Sequence, residues 1–215
     1  MKGIMFNEHY GLESATLKGF KTRTSRIVKI RNTRCGKEVY SLQPTHENKF
    51  TKVDIELLDA DGISIEPNSF IVPRYILNEV VAIRQSYDNI FDEMEGGRYN
   101  YDQYEDYRQL AMGMKLAGNK NKMFVRNDLM PHHIKITDID VQNLQDISDD
   151  DCIKEGIKIG INPDGKHYHY FDTENVRTFF DTPRKAFAAL IDKVSGKGTW
   201  DSNPLVWVYY YELVD

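Results

Sequence analysis

The segment "GFKTRTSR" at residues 19–26 gathers cations and hydroxyl groups in a chain that is acidic overall. Residues 18–37 contain eight basic residues and no acidic one, whereas the 215-residue chain carries 28 Lys and Arg against 33 Asp and Glu, a net charge of −5. Guanidinium, ammonium and hydroxyl groups together bind phosphates or carboxylates. The chain as a whole carries a net negative charge, so it would not bind nucleic acid over its entire surface. The segment therefore predicts a local anion-binding site. The candidate ligand-binding residues in this segment are Lys21, Thr22, Arg23, Thr24 and Arg26.

A solvent-exposed loop is the second interpretation of the same basic run. Its cations would then pair with acidic side chains elsewhere in the chain. Residues 88–106 and residues 138–155 each contain seven acids and could supply such partners. The sequence alone leaves both interpretations open.

His167 and His169 are spaced to share one face of a strand, which is the other pattern that could do chemistry. Together with a third ligand they could bind a metal ion, but no nearby acid or cysteine has a suitable spacing. The sequence therefore predicts no metal site and no cofactor. Cys35 and Cys152 form no CxxC motif, so we expect two reduced thiols.

Tyrosine is abundant, with 13 residues in the chain. We expect Tyr209, Tyr210 and Tyr211 to pack within a terminal strand. Four further tyrosines, Tyr99, Tyr101, Tyr104 and Tyr107, lie in the acidic, glycine-containing residues 92–107. For these four, packing and the stacking of nucleic-acid bases both remain open.

Short strands and a few short helices must position these side chains, which predicts an α+β fold with a small curled sheet or barrel. We expect one domain over residues 1–215, interrupted by a variable, helical, Tyr-rich insert at about 88–121. No secretory signal or membrane-spanning run is evident at the sequence level, so we expect a cytoplasmic protein. The other expected elements are helices at 12–19, 148–156 and 183–196, a loop at 19–25 that enters a strand at 26–30, and strands at 79–87, 133–147 and 204–214. Hairpins are expected at 52–67, with a turn at 61–62, and at 157–171.

Four blocks of the sequence resemble the ASCH (activating signal cointegrator homology) domains of the PUA-like superfamily. "GFKTRTSR" is similar to their GxKxxTxR signature, and "EVVAIRQSY" takes the place of a strand that usually reads like GDxLxVRETW. "ITDIDVQNLQDISDDDCIKEGI" and "TWDSNPLVWVYYYEL" resemble later blocks of phage and bacterial members. The blocks occur in the family's order over nearly the whole chain.

The resemblance implies a PUA-like β-barrel with flanking short helices and a cleft beside the signature segment. Relatives are thought to bind RNA or modified nucleosides there. One bacterial branch hydrolyses acetylcytidine with the signature Lys and Thr and a strand Glu, and other members have been described as ribonucleases. The signature places the Lys at Lys21, the Thr at Thr24 and the Arg at Arg26.

Gln85 departs from the family pattern, since it stands where the resemblance implies the glutamate. A carboxamide can donate and accept hydrogen bonds but cannot act as a general base. The sequence therefore argues against a Lys-Thr-Glu amidohydrolase and adds Gln85 and Tyr87 to the expected ligand-binding residues. Glu79, six residues upstream, is too far away to substitute for it, because it would lie about 20 Å away along an extended strand.

Three hypotheses follow from the sequence. The first is a module that binds RNA or a modified nucleoside at the basic segment. The second is a hydrolase that uses Lys21 and Thr24 with a carboxylate from elsewhere in the chain. The third is an interaction protein whose insert at about 88–121 contacts a protein partner.

Overall fold

The structure is a computed structural model, and it describes residues 1–29, 38–47, 50–58, 69–93, 118–163, 165–171 and 178–214. Ten strands and four α-helices lie in this part of the chain. The strands are β1 (Gly3–Ile4), β2 (Arg23–Ile27), β3 (Glu38–Glu47), β4 (Phe50–Leu58), β5 (Ser69–Ile71), β6 (Val80–Ile83), β7 (His133–Asn143), β8 (Lys158–Asn162), β9 (Gly165–His169) and β10 (Leu205–Leu213). The helices are α1 (Leu12–Leu17), α2 (Tyr87–Glu93), α3 (Asp149–Lys154) and α4 (Pro183–Ser195).

A five-stranded mixed sheet has the order β1-β6-β7-β10-β2. β1 pairs with β6 in parallel, whereas the β6–β7 and β10–β2 pairs are antiparallel. β3, β4 and β5 form a three-stranded antiparallel sheet, and β8 and β9 form the predicted second hairpin. The fold is therefore mixed α+β, as the sequence predicts.

The chain separates into two compact units. The first unit comprises Met1–Phe6, Val80–Lys135 and Leu213–Asp215, and the second comprises Asn7–Glu79 and Ile136–Glu212. β7 begins in the first unit and continues into the second.

The first unit has an apolar core around the end of β6 and the start of α2. Ala82, Tyr87, Ile90, Val125 and Met130 are buried and pack together. The predicted strand at 79–87 is shorter than expected, because β6 ends at Ile83. The reason is local, since the Oγ atom of Ser86 accepts a hydrogen bond from the Asn89 amide (3.3 Å), an arrangement that favours the start of α2.

Three helices of the second unit begin or end where the sequence predicts. α1 buries Leu12, Ala15 and Thr16 and is followed by Gly19 in the left-handed region (φ 72°). In α3, the Oγ atom of Ser148 accepts a hydrogen bond from the Asp151 amide. In α4, Thr182 accepts from the Lys185 amide. These ends were predictable because capping residues act on their own helix.

The basic segment is not the loop that the sequence predicts up to residue 26. β2 begins at Arg23 and pairs antiparallel with β10, with Arg23 opposite Tyr210 and Thr24 opposite Tyr209. Polar residues take up strand geometry here because pairing with a buried strand overrides their local preference. Tyr209 and Tyr211 are buried in β10, which confirms their predicted packing role.

Some sequence predictions fall outside the described residues. These are the turn at 61–62 and the greater part of the insert at about 88–121, including its tyrosines. Within the described ranges, no helix is both long and apolar enough to cross a bilayer.

Candidate functional site

The two faces of β2 separate the candidate residues into two sets. Side chains along a strand point alternately to opposite faces. Arg23 and Ser25 therefore share one face, and Thr24 and Arg26 share the other. The faces contact different neighbours in the second unit.

A buried cluster of Lys21, Arg23, Ser25 and Glu155 lies on the first face, and we call it the Glu155 cluster. Lys21 is 2% exposed, and its Nζ atom donates three hydrogen bonds. The acceptors are the Glu155 Oε2 atom at 2.6 Å, the Glu155 carbonyl at 2.8 Å and the Arg23 carbonyl at 2.7 Å. These three bonds use the three donors of the ammonium group.

The second oxygen of Glu155 binds the other members of the cluster. Arg23, which is 0% exposed, donates from Nη1 to Glu155 Oε1 at 2.9 Å and to Ser25 Oγ at 3.1 Å. The Ser25 hydroxyl donates to the same Oε1 atom at 2.6 Å. One carboxylate thus accepts hydrogen bonds from two cations and one hydroxyl.

Burial is the largest influence on the pKa of Lys21. It lowers the pKa of Lys21 below its ordinary value, and Glu155 opposes this effect by stabilising the charged form. The charges of Arg26 and Arg23 also lower the pKa of Lys21, so the field at this ammonium group includes both guanidinium groups.

Glu155 reaches β2 because of how α3 ends. It is the residue directly after α3, and the Lys154 carbonyl accepts a hydrogen bond from the Thr22 amide (3.0 Å). Gly156 then turns the chain with φ 108°, a conformation that favours glycine. A Cβ atom at this position would lie 3.1 Å from a methyl carbon of Leu12, so the space is tight as well.

Tyr210 covers the guanidinium group of Arg23 on the same face. The Arg23 Cζ atom lies 5.6 Å from the ring centroid, and the Lys154 Nζ atom lies 5.5 Å from it. The Tyr210 hydroxyl donates to Asp151 (3.4 Å), which also pairs with Lys154 at 3.0 Å. Burial raises the pKa of Asp151, but the hydrogen bonds of its carboxylate with Lys154 and Ser148 outweigh burial and hold it below its ordinary value.

Thr24 and Arg26 lie on the opposite face of β2 from the Glu155 cluster. Thr24 is buried opposite Tyr209, and Arg26 is half-buried opposite Trp207. Burial raises the pKa of Tyr209 to about 12. The structure therefore does not bring the expected Lys21 and Thr24 pair together with one carboxylate.

Gln85 and Tyr87 belong to the first unit. Tyr87 is a core residue whose hydroxyl accepts a hydrogen bond from the Arg126 amide at 3.0 Å. Gln85 is 0% exposed. Among the described residues, neither its Oε1 nor its Nε2 atom has a hydrogen-bond partner.

Sequence reasoning missed Glu155 and Phe20. Glu155 lies at the end of residues 138–155, one of the two acidic stretches that could pair with the basic segment. The position of Cys152 could have indicated that this particular acid is buried. Cys152 is three residues earlier and fully buried, and Glu155 continues the helical geometry directly after α3, so the two side chains lie on the same side. Phe20 is an aromatic residue inside the basic segment and is 69% exposed. Glu79 does not replace the missing glutamate in the described contacts, where it accepts from the Ile76 amide.

The two histidines of β9 stack on each other with ring centroids 5.5 Å apart. His167 also contacts Phe179, at 4.3 Å between centroids. In the part of the chain that the structure describes, no group of three His, Cys, Asp or Glu side chains could hold a metal ion.

No protein-family model, curated protein or solved structure matches the chain. The fold and the site define an α+β protein with a buried Lys–Arg–Glu cluster beneath one strand of a mixed sheet.

Proposed function

We propose that the chain is an ASCH-type, PUA-like module that binds RNA or a modified nucleoside or nucleotide at its basic segment. One observation carries the proposal: Lys21 and Arg23 lie buried side by side, both bound to the Glu155 carboxylate, and β2 carries half-buried Arg26 on its other face. Cations held close together at fixed positions contribute a positive potential that attracts anions. Nucleic-acid phosphates are such anions.

The residues of the segment divide into an inner and an outer set under this proposal. Lys21 and Arg23 are buried. They fix the position of β2 by binding Glu155 and contribute positive potential. Thr22 and Arg26 are half-buried and can contact a ligand directly. Phe20 is exposed and offers a ring on which a base can stack, with exposed Lys18 two residues away.

Replacing Phe20 by alanine tests this proposal without disturbing the buried cluster. Base stacking is worth about 1–3 kcal/mol per base, so we expect the affinity for a short labelled single-stranded RNA to fall roughly 5- to 150-fold. Fluorescence anisotropy over a salt series measures both the affinity and its salt dependence. Arg26→Gln should weaken binding and should reduce the slope of log affinity against log salt concentration by about one.

Phe124→Ala is the matched control, since Phe124 is similarly exposed (61%) but belongs to the other unit. This variant should bind RNA as the wild type does. If the wild type binds neither RNA nor nucleosides in a salt-sensitive way, or if both phenylalanine variants lose equal affinity, the proposal is wrong.

Hydrolysis of an amide or a phosphodiester is the second candidate function. The observation in its favour is the Glu155 carboxylate 2.6 Å from Lys21 Nζ, with the pKa of Lys21 lowered by burial. Ser25, which donates to the same carboxylate, supplies the hydroxyl in place of Thr24. Turnover of acetylcytidine or RNA by the wild type, lost in a folded Ser25→Ala variant, would support this candidate over simple binding.

A further inference from the structure

One edge of strand β8 (Lys158–Asn162) is uncovered in the part of the chain that the structure describes. There, β8 pairs only with β9, in a two-stranded antiparallel sheet. Two of its side chains, Ile159 and Ile161, share one face of the strand and are 53% and 79% exposed. An edge strand with exposed apolar side chains is a template for pairing with another strand.

The register of the hairpin shows which backbone groups of β8 point to the uncovered edge. Ile159 lies opposite Tyr168 of β9. Tyr168 exchanges two backbone hydrogen bonds with Phe180, at 2.8 and 2.9 Å, on the side of β9 away from β8. In an antiparallel pair, opposite residues bond each other through both backbone groups or through neither. The N–H and C=O groups of Ile159 therefore point outward, and so do those of Ile161 two residues later.

The residues on either side limit the uncovered edge to these two isoleucines. Before them, the Ile157 amide donates to the Cys152 carbonyl at 3.3 Å. After them, Pro163 has no amide hydrogen to donate. Among the described residues, the outward groups of Ile159 and Ile161 have no backbone partner. The edge is thus a short segment with two donors and two acceptors.

We propose that β8 pairs with β8 of a second copy of this chain, antiparallel about a two-fold axis through Gly160. In this register Ile159 lies opposite Ile161 of the second copy, and Ile161 lies opposite Ile159 of the second copy. Each such pair exchanges two hydrogen bonds, so the outward groups of both copies are all used. The four isoleucines lie on one face across the axis, and Gly160 places no side chain between the strands.

The symmetry and charge of the segment favour a second copy as the occupant. A two-fold interface needs a self-complementary surface, and Ile159-Gly160-Ile161 is symmetric about its glycine. Lys158 would lie opposite Asn162 of the second copy, so no two cations are directly opposed. The contact is smaller than a standard interface, which buries roughly 800 Å² on each partner. We therefore expect a weak dimer with a dissociation constant on the order of 0.1 mM.

Sedimentation equilibrium of the full chain from about 10 µM to about 1 mM tests the dimer. We expect the weight-average mass to rise toward that of two chains over this range. Ile159→Pro removes an outward amide hydrogen but no bond to β9, so it should weaken the dimer about tenfold or more while the chain stays folded. Ile161→Lys is the second variant and should weaken the dimer at least as much, because it places a cation in the apolar face of each copy.

Ile76→Lys is the matched control, because Ile76 is similarly exposed (61%) and belongs to the same unit. This variant should dimerise as the wild type does. A wild type that stays monomeric up to about 1 mM would overturn the proposal. Normal dimerisation of both β8 variants, with folding checked by circular dichroism, would overturn it too. Self-association is separate from RNA binding, so failure of either leaves the other standing.

Cysteine cross-linking tests the register without those variants. In a Cys35→Ser background, Ile159→Cys and Ile161→Cys chains should form a disulfide-linked dimer when mixed, because the two positions face each other across the axis. Either variant oxidised alone should cross-link much less. Cys152 is fully buried and should not compete. Equal cross-linking in the mixture and in the separate variants would contradict the antiparallel pairing about Gly160.

Discussion

Replacing Glu155 by alanine is expected to lower the free energy of unfolding by about 3–5 kcal/mol. The substitution leaves Lys21 and Arg23 buried side by side without the carboxylate that both bind. It also removes the acceptor of the Ser25 hydroxyl. Because domains are typically stable by only about 5–15 kcal/mol, this single change should bring the chain close to unfolding. Urea unfolding at neutral pH, followed by circular dichroism, measures the loss.

Asp181→Ala is the control for this measurement. It removes an ion pair with Lys185 at 2.7 Å, but both side chains are largely exposed, so no measurable change in stability is expected. A loss below about 1 kcal/mol for Glu155→Ala would contradict the burial of the Glu155 cluster.

The sequence predicts best those features that depend on nearby residues. Ser148 and Thr182 each accept a hydrogen bond from an amide three residues ahead, so the starts of α3 and α4 can be read from short motifs. The strand assignment of the basic segment could not be read in this way. Arg23 pairs with Tyr210, which is far along the chain, and its own neighbours are polar.

The cluster itself depends on contacts that no local pattern encodes. Lys21 and Glu155 are 134 residues apart in sequence. The acidic window that contains Glu155 could be recognised, but Asp149 and Asp150 in the same window remain exposed at the start of α3. Only the direction of α3 against β2 decides which acid is buried. The unmatched amide of Gln85 is likewise a property of packing, since glutamine in a sequence is equally compatible with a surface position.

The charge balance of the cluster leads to a second prediction, in which one substitution has opposite effects in two backgrounds. In the wild type, Lys21→Met should be destabilising by about 1–3 kcal/mol, because Glu155 and two backbone carbonyls lose a donor. In the Glu155→Ala background the same substitution should be stabilising by about 1 kcal/mol, because it removes one of two buried cations that have lost the carboxylate they shared. Arg23 already lowers the pKa of Lys21 in the intact cluster, which is the sign expected for repulsion between them.

A double-mutant cycle measured by urea unfolding tests this reversal. We expect a coupling energy of about 2–4 kcal/mol between Lys21 and Glu155, which is the difference between the two effects. Glu155→Gln provides a milder arm of the cycle if Glu155→Ala is too unstable to give a folded baseline. The pair of Lys21→Met with Asp181→Ala is the control and should be additive within about 0.5 kcal/mol. If Lys21→Met further destabilises the Glu155→Ala variant, repulsion between Lys21 and Arg23 does not govern this cluster, and the cluster would no longer support an anion-binding role.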